Sequence, residues 1–390
     1  DRLAEPPHHA EPSGDALAQS QLTALTGLGQ ICYILGKGGE AEHYFRRAIG
    51  VGREARVEIR ELVRLYFWLA EVLHWQGRYN EQARLGETVL ALLTEDEAET
   101  VEAALVNQTI AIASIHRDDH ARFYELTDRT ARFIRRLPYS EELWAPYAHI
   151  TFSLYERKRI AEMNRWLEII QNLADEHNDL RLLTIVYDHR GEYSFDQGDL
   201  PEASRNIGRA LELYQTVGER VHIWRCLGGL VWIHLLQGDL STAEGYARRA
   251  LESAQTLGFD KFVAESYFNW GMVLLADRRW NEAVEAFDLA ERLAAGGELF
   301  WTQWAAPYGL GCVYLAQGRI HEARIRFLAA LASFFPRPVP LGWAQHRWWS
   351  LLAVILSGLE SVCESTQAFE QVCRPFESLK EQRAMPPLPV

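Results

Sequence analysis

His116-Arg-Asp-Asp-His120 is the segment whose residue types and spacing come nearest to chemistry. Two histidines at i and i+4 share a helix face and could hold a metal ion together with a carboxylate. Here they straddle a predicted helix–helix turn, where polar residues are expected anyway, and no metal site is assigned. Asp175-Glu-His177 ends another predicted helix and reads as solvated, and His8-His9 falls in a predicted linker. Arginine pairs recur at Arg46-Arg47, Arg135-Arg136, Arg248-Arg249 and Arg278-Arg279. They could form a track for phosphate or an acidic partner. The reading adopted is a set of helix-end cations facing water, which also favours the C-terminal helix dipole.

Other signatures of catalysis are missing. Cys32, Cys226, Cys312, Cys363 and Cys373 are odd in number and no two are spaced C-x-x-C, so neither a disulfide framework nor a zinc site follows. The sequence contains no G-x-x-x-x-G-K-[ST], no H-E-x-x-H and no G-x-S-x-G. No cofactor is expected, and the chain is expected to bind rather than catalyse. Its 390 residues carry 40 Lys+Arg against 53 Asp+Glu, a formal charge of −13. That balance disfavours a nucleic-acid backbone binder, which needs a basic stripe. There is no apolar run of 18 residues to span a membrane and no signal peptide, and reduced thiols fit a cytoplasmic protein. The start at Asp1 suggests a fragment of something longer or a processed product.

The elements that would position any site come from an internal repeat. Gly198-Asp-Leu-Pro-Glu-Ala203, Gly238-Asp-Leu-Ser-Thr-Ala243, Arg278-Arg-Trp-Asn-Glu-Ala283 and Gly318-Arg-Ile-His-Glu-Ala323 place their alanines 40 residues apart. Gly36-Lys-Gly-Gly-Glu-Ala41 belongs to the same set, about four periods earlier. Each is preceded by an apolar helical stretch, with small residues at Gly29, Gly191, Gly271 and Gly311, and followed by Phe45, Ile207, Ala247, Phe287 or Phe327. The pattern predicts one helix pair per repeat, with the Gly ending the first helix in a left-handed conformation. A single pair cannot bury its apolar face, so pairs must stack. The third and fourth repeats, between about 98 and 178, are degenerate: Asp118-Asp119 and Arg157-Lys158 stand where Gly is expected.

This spacing resembles the tetratricopeptide repeat. The matches include Gly191, Gly198, Leu200, Ala203 and Ala210, then Trp270, Gly271, Leu274, Trp280, Ala283, Phe287 and Ala290. The usual period is 34, and longer repeats of about 40 look like those in the sensor regions of MalT-like activators and other STAND-class signalling ATPases. The resemblance implies an all-α, right-handed solenoid of about nine antiparallel helix pairs over residues 16–380. A flexible linker at 1–15 and a Pro-rich tail at 381–390 would flank it.

The resemblance also implies that the first helix of each pair lines a concave groove. Carrying the register across marks Arg64, Phe67, Glu71 and His74 in the second repeat, and Asp188, Glu192 and Phe195 in the fifth. It marks Arg225, Gly228 and Trp232 in the sixth, Glu265, Phe268 and Met272 in the seventh, Tyr308 and Cys312 in the eighth, and Gln345, Trp348 and Leu352 in the ninth. Such a surface runs from charged to aromatic and suits an extended peptide, a helix or a partner protein. The other reading is an array wound so tightly that these positions pack on the next repeat. The leading functional expectation is a sensor or scaffold region of a larger bacterial signalling protein, with an upstream NTPase domain of the same polypeptide as a candidate partner. The rivals are a stand-alone adaptor and a peptide-pheromone receptor, whose helical effector module residues 1–20 would leave no room for. An enzyme is disfavoured because a linear array spaces titratable groups about a repeat apart.

Overall fold

The computed structural model describes residues 14–94, 97–117, 119–295, 300–334, 355 and 357–363. Among them sixteen α-helices follow one another and no strand occurs. They form eight pairs: α1 (Gly14–Ile34) with α2 (Gly38–Glu54), α3 (Ile59–Trp75) with α4 (Tyr79–Leu90), α5 (Val101–His116) with α6 (His120–Phe133), and α7 (Trp144–Glu156) with α8 (Ile160–His177). Then come α9 (Leu180–Asp196) with α10 (Leu200–Val217), α11 (Arg220–Gln237) with α12 (Leu240–Leu257), α13 (Asp260–Ala276) with α14 (Trp280–Ala294), and α15 (Phe300–Ala316) with α16 (Ile320–Phe334). The chain is an α-solenoid. Most of the expected ninth pair, including Trp348, and most of the expected linker and tail lie outside the described residues.

In the third pair the residue at the inner turn lies outside those described, and in the other seven of the eight pairs that turn is set by one left-handed residue. Gly36, Gly77, Gly198, Gly238 and Gly318 fill it, and Lys158 and Arg278 fill it in the fourth and seventh pairs with φ of 57° and 61°. The next residue's N–H then bonds back to a carbonyl five residues earlier, as in Arg159 to Leu154 and Arg279 to Leu274. This satisfies carbonyls that the helix end would otherwise orphan. Repeat degeneracy at Arg157-Lys158 therefore altered the residue and kept the turn.

Second helices start in two ways. Asp119, Asp199 and Asp239 accept backbone N–H bonds from Arg122, Glu202 and Thr242, the usual N-cap device. Arg78, Arg279 and Arg319 occupy the same place with no side-chain cap and pair instead with Glu81, Glu282 and Glu322, three residues on. Second helices are amphipathic, with small residues buried and charged residues outside. First helices are covered on both sides, so burial runs around them: in α5 nearly every residue from Glu102 to Ser114 is buried.

The glycines of the first helices explain how pairs interlock. Phe287 of α14 is fully buried. A Cβ on Gly271 would lie 2.6 Å from its ring, and one on Gly309, in the next pair, 2.4 Å. Phe327 is held likewise between Gly311 and Gly358. In α14 and α16 one aromatic thus fills notches cut by glycines of its own pair and the next.

Tryptophans and tyrosines add polar links across pairs. The indole N–H of Trp144 donates to Thr184 at 3.3 Å, that of Trp224 to Ser266 at 2.8 Å, and that of Trp232 to Asn269 at 2.9 Å. Each bond spans close to one repeat, so stacking places donor and acceptor together. Such bonds satisfy buried indole N–H groups and fix the register of one pair on the next.

Candidate functional site

The superhelix closes on itself. The turn after α1 meets the end of α12: a Cβ on Gly36 would lie 2.9 Å from the Leu257 Cα. Gly38 abuts the Phe259 ring. One pair further on, the Lys261 ammonium donates to the Tyr79 hydroxyl at 3.3 Å, and Trp75 packs on Phe262 with ring centres 5.8 Å apart. About five repeats therefore complete a turn, and α3, α5, α7, α9 and α11 face an enclosed interior.

Each of those five helices contributes a histidine here, His74, His116, His149, His189 and His222, and α11 carries a second, His234, which stacks on Tyr246 instead. The His74 and His116 rings lie 5.0 Å apart, and His116 stacks on Tyr79 at 4.1 Å. His222 stacks on Tyr214 at 4.8 Å and meets the edges of Trp144 and Trp75 at 5.1 and 6.1 Å. Trp75 donates its indole N–H to the Tyr33 hydroxyl at 2.9 Å. His189 shares a 2.9 Å hydrogen bond with Thr151. Arg181 pairs with Glu219 at 2.6 Å and lies over the Trp144 ring.

Burial sets the electrostatics here. It pushes the pKa of His149 and His189 down to about 4, and the His74 imidazole well below its usual value. The charges of His116, Lys261, His149 and His222 act on His74 in the same direction. His116 keeps access to solvent at the end of α5, yet the surrounding walls and Lys261 also lower its pKa. Burial raises Glu71 to about 7, with repulsion from Glu219 and opposed by a 3.4 Å hydrogen bond from Gln108. At neutral pH the interior therefore holds neutral imidazoles and a carboxyl poised between its two forms. His74 Nδ1, Gln108 Oε1, Asp188 Oδ1 and His222 Nδ1 are buried without a hydrogen-bond partner.

The residues marked from the sequence divide into two groups. Glu71 and His74 of α3 lie among the histidines described above, and Asp188, Glu192 and Arg225 form a separate ion-pair group. Arg225 of α11 pairs with Asp188 and, at 2.6 Å, with Glu192, both on α9. Arg64 reaches Glu102 at 3.6 Å and Glu142 at 2.8 Å, tying three pairs at one rim. Phe67 packs beside Trp68 at the joint of α3, α4 and α5. The carboxy-terminal set lies elsewhere. Phe268 is buried between Trp232 and Phe287, Met272 packs in the same cluster, and Tyr308 lies against Phe327 and Trp304. Cys312 joins that cluster, while Trp348 falls outside the described residues.

Sequence reading passed over His149, His189, His222, Trp75, Trp144 and Tyr33. The signal was a histidine on each of five successive first helices, but each sits at a different place along its helix, so no period exposes the set. Titratable groups were expected to stay about a repeat apart. They converge because a closed turn brings non-adjacent pairs face to face. His116 and His120 part company: His120 of α6 lies buried 3.9 Å from Glu156, away from the interior. Among the described residues no three His, Cys, Asp or Glu side chains converge as a metal ion would need, and no helix is long and apolar enough to cross a membrane.

The tetratricopeptide repeat family model matches residues 167–256. No curated protein sequence matches the chain. Solved structures share its fold at low identity. A Rap protein complexed with competence and sporulation factor aligns at 12% identity and a TM-score of 0.60, over 95% of this chain and 99% of that one. A STAND signal transduction ATPase with a tetratricopeptide repeat sensor, from Pyrococcus horikoshii, aligns at 15% and 0.55, over 88% of this chain and 54% of the other. The Cut9–Hcn1 hetero-tetramer of APC/C aligns at 13% and 0.57, over 86% and 56%. The glycine-notched helix pairs and their 40-residue period fit these matches: residues 167–256 match the tetratricopeptide repeat, and the chain as a whole shares the α-solenoid fold of these structures.

Proposed function

We propose that this chain binds, without catalysis, an extended peptide segment in the interior enclosed by α3, α5, α7, α9 and α11. The observation that carries the reading is the set of buried, unpartnered polar atoms on those helices: His74 Nδ1, Gln108 Oε1, Asp188 Oδ1 and His222 Nδ1. A buried polar atom left unpaired costs on the order of 1–3 kcal/mol, so a ligand that satisfies several of them gains affinity at each. An extended backbone offers N–H and C=O groups in alternation and suits a lining of mixed acceptors and neutral imidazoles. The aromatic frame of Trp75, Trp144 and Tyr214 would hold an apolar side chain beside them.

In this reading the chain is the sensor or scaffold region of a larger bacterial signalling protein of the STAND kind. Small rotations between pairs add along a solenoid, so a ligand preferring one curvature shifts the whole array. The contact of Gly36 with Leu257 and of Tyr79 with Lys261 is where such a shift would register. The similarity to the tetratricopeptide sensor of a STAND ATPase supports this setting. A stand-alone peptide receptor is the second reading, favoured by the alignment that runs nearly end to end with the Rap protein. Protein partners rather than nucleic acid fit either.

The test is binding of a short-peptide library to the full chain, read by calorimetry, with Glu71→Ala and His74→Ala as interior variants. Loss of about tenfold or more in affinity is expected. Unchanged affinity in both variants would sink the interior as the binding surface. The intact mass of the natural gene product then separates the settings: an attached nucleotide-binding region supports the sensor, and its lack the adaptor or receptor.

A further inference from the structure

We infer that a second site, on the outer face between α6 and α8, binds a phosphate group. An open cleft of about 500 Å³ lies there and continues into another of about 320 Å³, the two sharing Ala131, Arg132, Glu162 and Trp166 as walls. The regular array is interrupted at this place. Helices α8, α10 and α12 pass to the next pair through two residues, whereas α6 ends at Phe133 and α7 begins only at Trp144. The intervening residues form two 3-10 turns, Ile134–Arg136 and Glu141–Leu143. That longer connection carries Arg135 and Arg136 to the mouth of the cleft.

The charge of the cleft opposes that of the chain. Its walls carry six arginines against the carboxylates of Asp128 and Glu162, in a protein of net charge −13. Three of the arginines are committed: Arg157 grips Asp128 at 2.7 and 2.8 Å, Arg159 pairs with Glu162, and Arg136 with Glu99. Arg132, Arg135 and Arg165 form no ion pair within 4 Å among the described residues, although Arg165 lies near enough to Glu162 to lower its pKa, and all three are exposed.

A guanidinium presents a planar fork of donors that matches phosphate oxygens, and two or three of them neutralise a dianion. The half-buried Trp166 and Ile169 give the cleft an apolar floor beside the cations. A ligand that places a phosphate among Arg132, Arg135 and Arg165 and an apolar group on Trp166 uses both halves. This site is separate from the interior and does not depend on the function assigned there.

The experiment is titration of the full chain with two probes, inorganic pyrophosphate and a peptide library with one fixed central phosphoserine. Saturable binding is expected for at least one, weakening at least tenfold in an Arg135→Glu, Arg165→Glu variant. Arg205→Glu and Arg248→Glu, on other second helices, should change it less than twofold. Tighter binding of the phosphopeptides would assign a protein-borne phosphate, and tighter binding of pyrophosphate a free one. Absence of saturable binding by both probes, or equal binding by wild type and the Arg135, Arg165 variant, overturns the proposal. Circular dichroism of the variant, whose changed residues are exposed, checks that the fold survives.

Discussion

The Lys261 ammonium and the Tyr79 hydroxyl are hydrogen-bonded at 3.3 Å across a sequence separation of 182 residues. Tyr79 opens the second helix of the second pair, and Lys261 sits in the first turn of α13. A solenoid whose pairs touched only their neighbours would have no such bond. Its presence, with Gly36 against Leu257, converts a linear array into a closed turn and a concave face into an interior.

That closure predicts a conformational effect larger than the energetic one. A single partly buried hydrogen bond contributes about 0.5–1.5 kcal/mol, so Lys261→Met should lower stability only slightly. It should nevertheless loosen the ring. The radius of gyration from small-angle X-ray scattering should rise, and amide exchange should quicken at residues 36–40 and 257–263. Scattering identical to wild type would show that the turn stays closed without this bond.

The glycine notches predict opposite outcomes for one substitution at two helical sites. Gly309→Ala places a methyl 2.4 Å from the Phe287 ring, which is fully buried and has nowhere to go. Overpacking of this kind costs about 1–3 kcal/mol. Gly208, inside α10, has nothing within 4 Å of the position a methyl would take. There Ala should stabilise by roughly 0.5–1 kcal/mol, because helix propensity is the only change. Chemical denaturation of both variants checks the sign as well as the size.

The fold was legible because its period is local: Gly, then Ala, then Phe at fixed offsets report helix ends and small contact points within one repeat. The interior was legible only in part. Glu71, His74, Asp188, Glu192 and Arg225 followed from a shared register on first helices. The other four histidines did not, since their convergence depends on how far each pair rotates against the last. No single repeat encodes that sum. Phe268 shows the converse limit: the register that puts polar residues inside a closed turn puts this ring between α13 and α14, on Phe287.

The buried histidines predict acid sensitivity. His74, His149, His189 and His222 all have folded pKa values below the usual 6.5. Below pH 6.5 the unfolded chain therefore binds more protons than the folded one, and stability falls as pH drops from about 6.5 toward 4. For His189 alone, moving from 6.5 to about 4 corresponds to at most on the order of 3 kcal/mol. Glu71, raised to about 7, acts oppositely and destabilises as pH rises from about 4.5 to 7. The histidines outnumber it, so the melting temperature should drop on acidification. His189→Gln should flatten the decline, and Glu71→Gln should raise stability at pH 8 relative to pH 5. A melting temperature constant from pH 7 to 5 would contradict the assigned protonation states.

Lys158 and Arg278 occupy left-handed positions that glycine fills in five other pairs. A residue with a Cβ is strained there by about 1 kcal/mol, whereas Gly adopts the conformation freely. The Lys158 side chain also lies over the Tyr155 ring at 5.6 Å, a contact that Gly would lose. The two effects oppose each other at Lys158, and Arg278 has no such ring contact among the described residues. Arg278→Gly should therefore stabilise by roughly 0.5–1 kcal/mol, and Lys158→Gly by less, with the greater flexibility of the unfolded glycine chain reducing both gains. Equilibrium denaturation of the two variants side by side tests this. If Arg278→Gly destabilised the protein, the guanidinium at that turn would have to hold a contact worth more than the backbone strain it imposes.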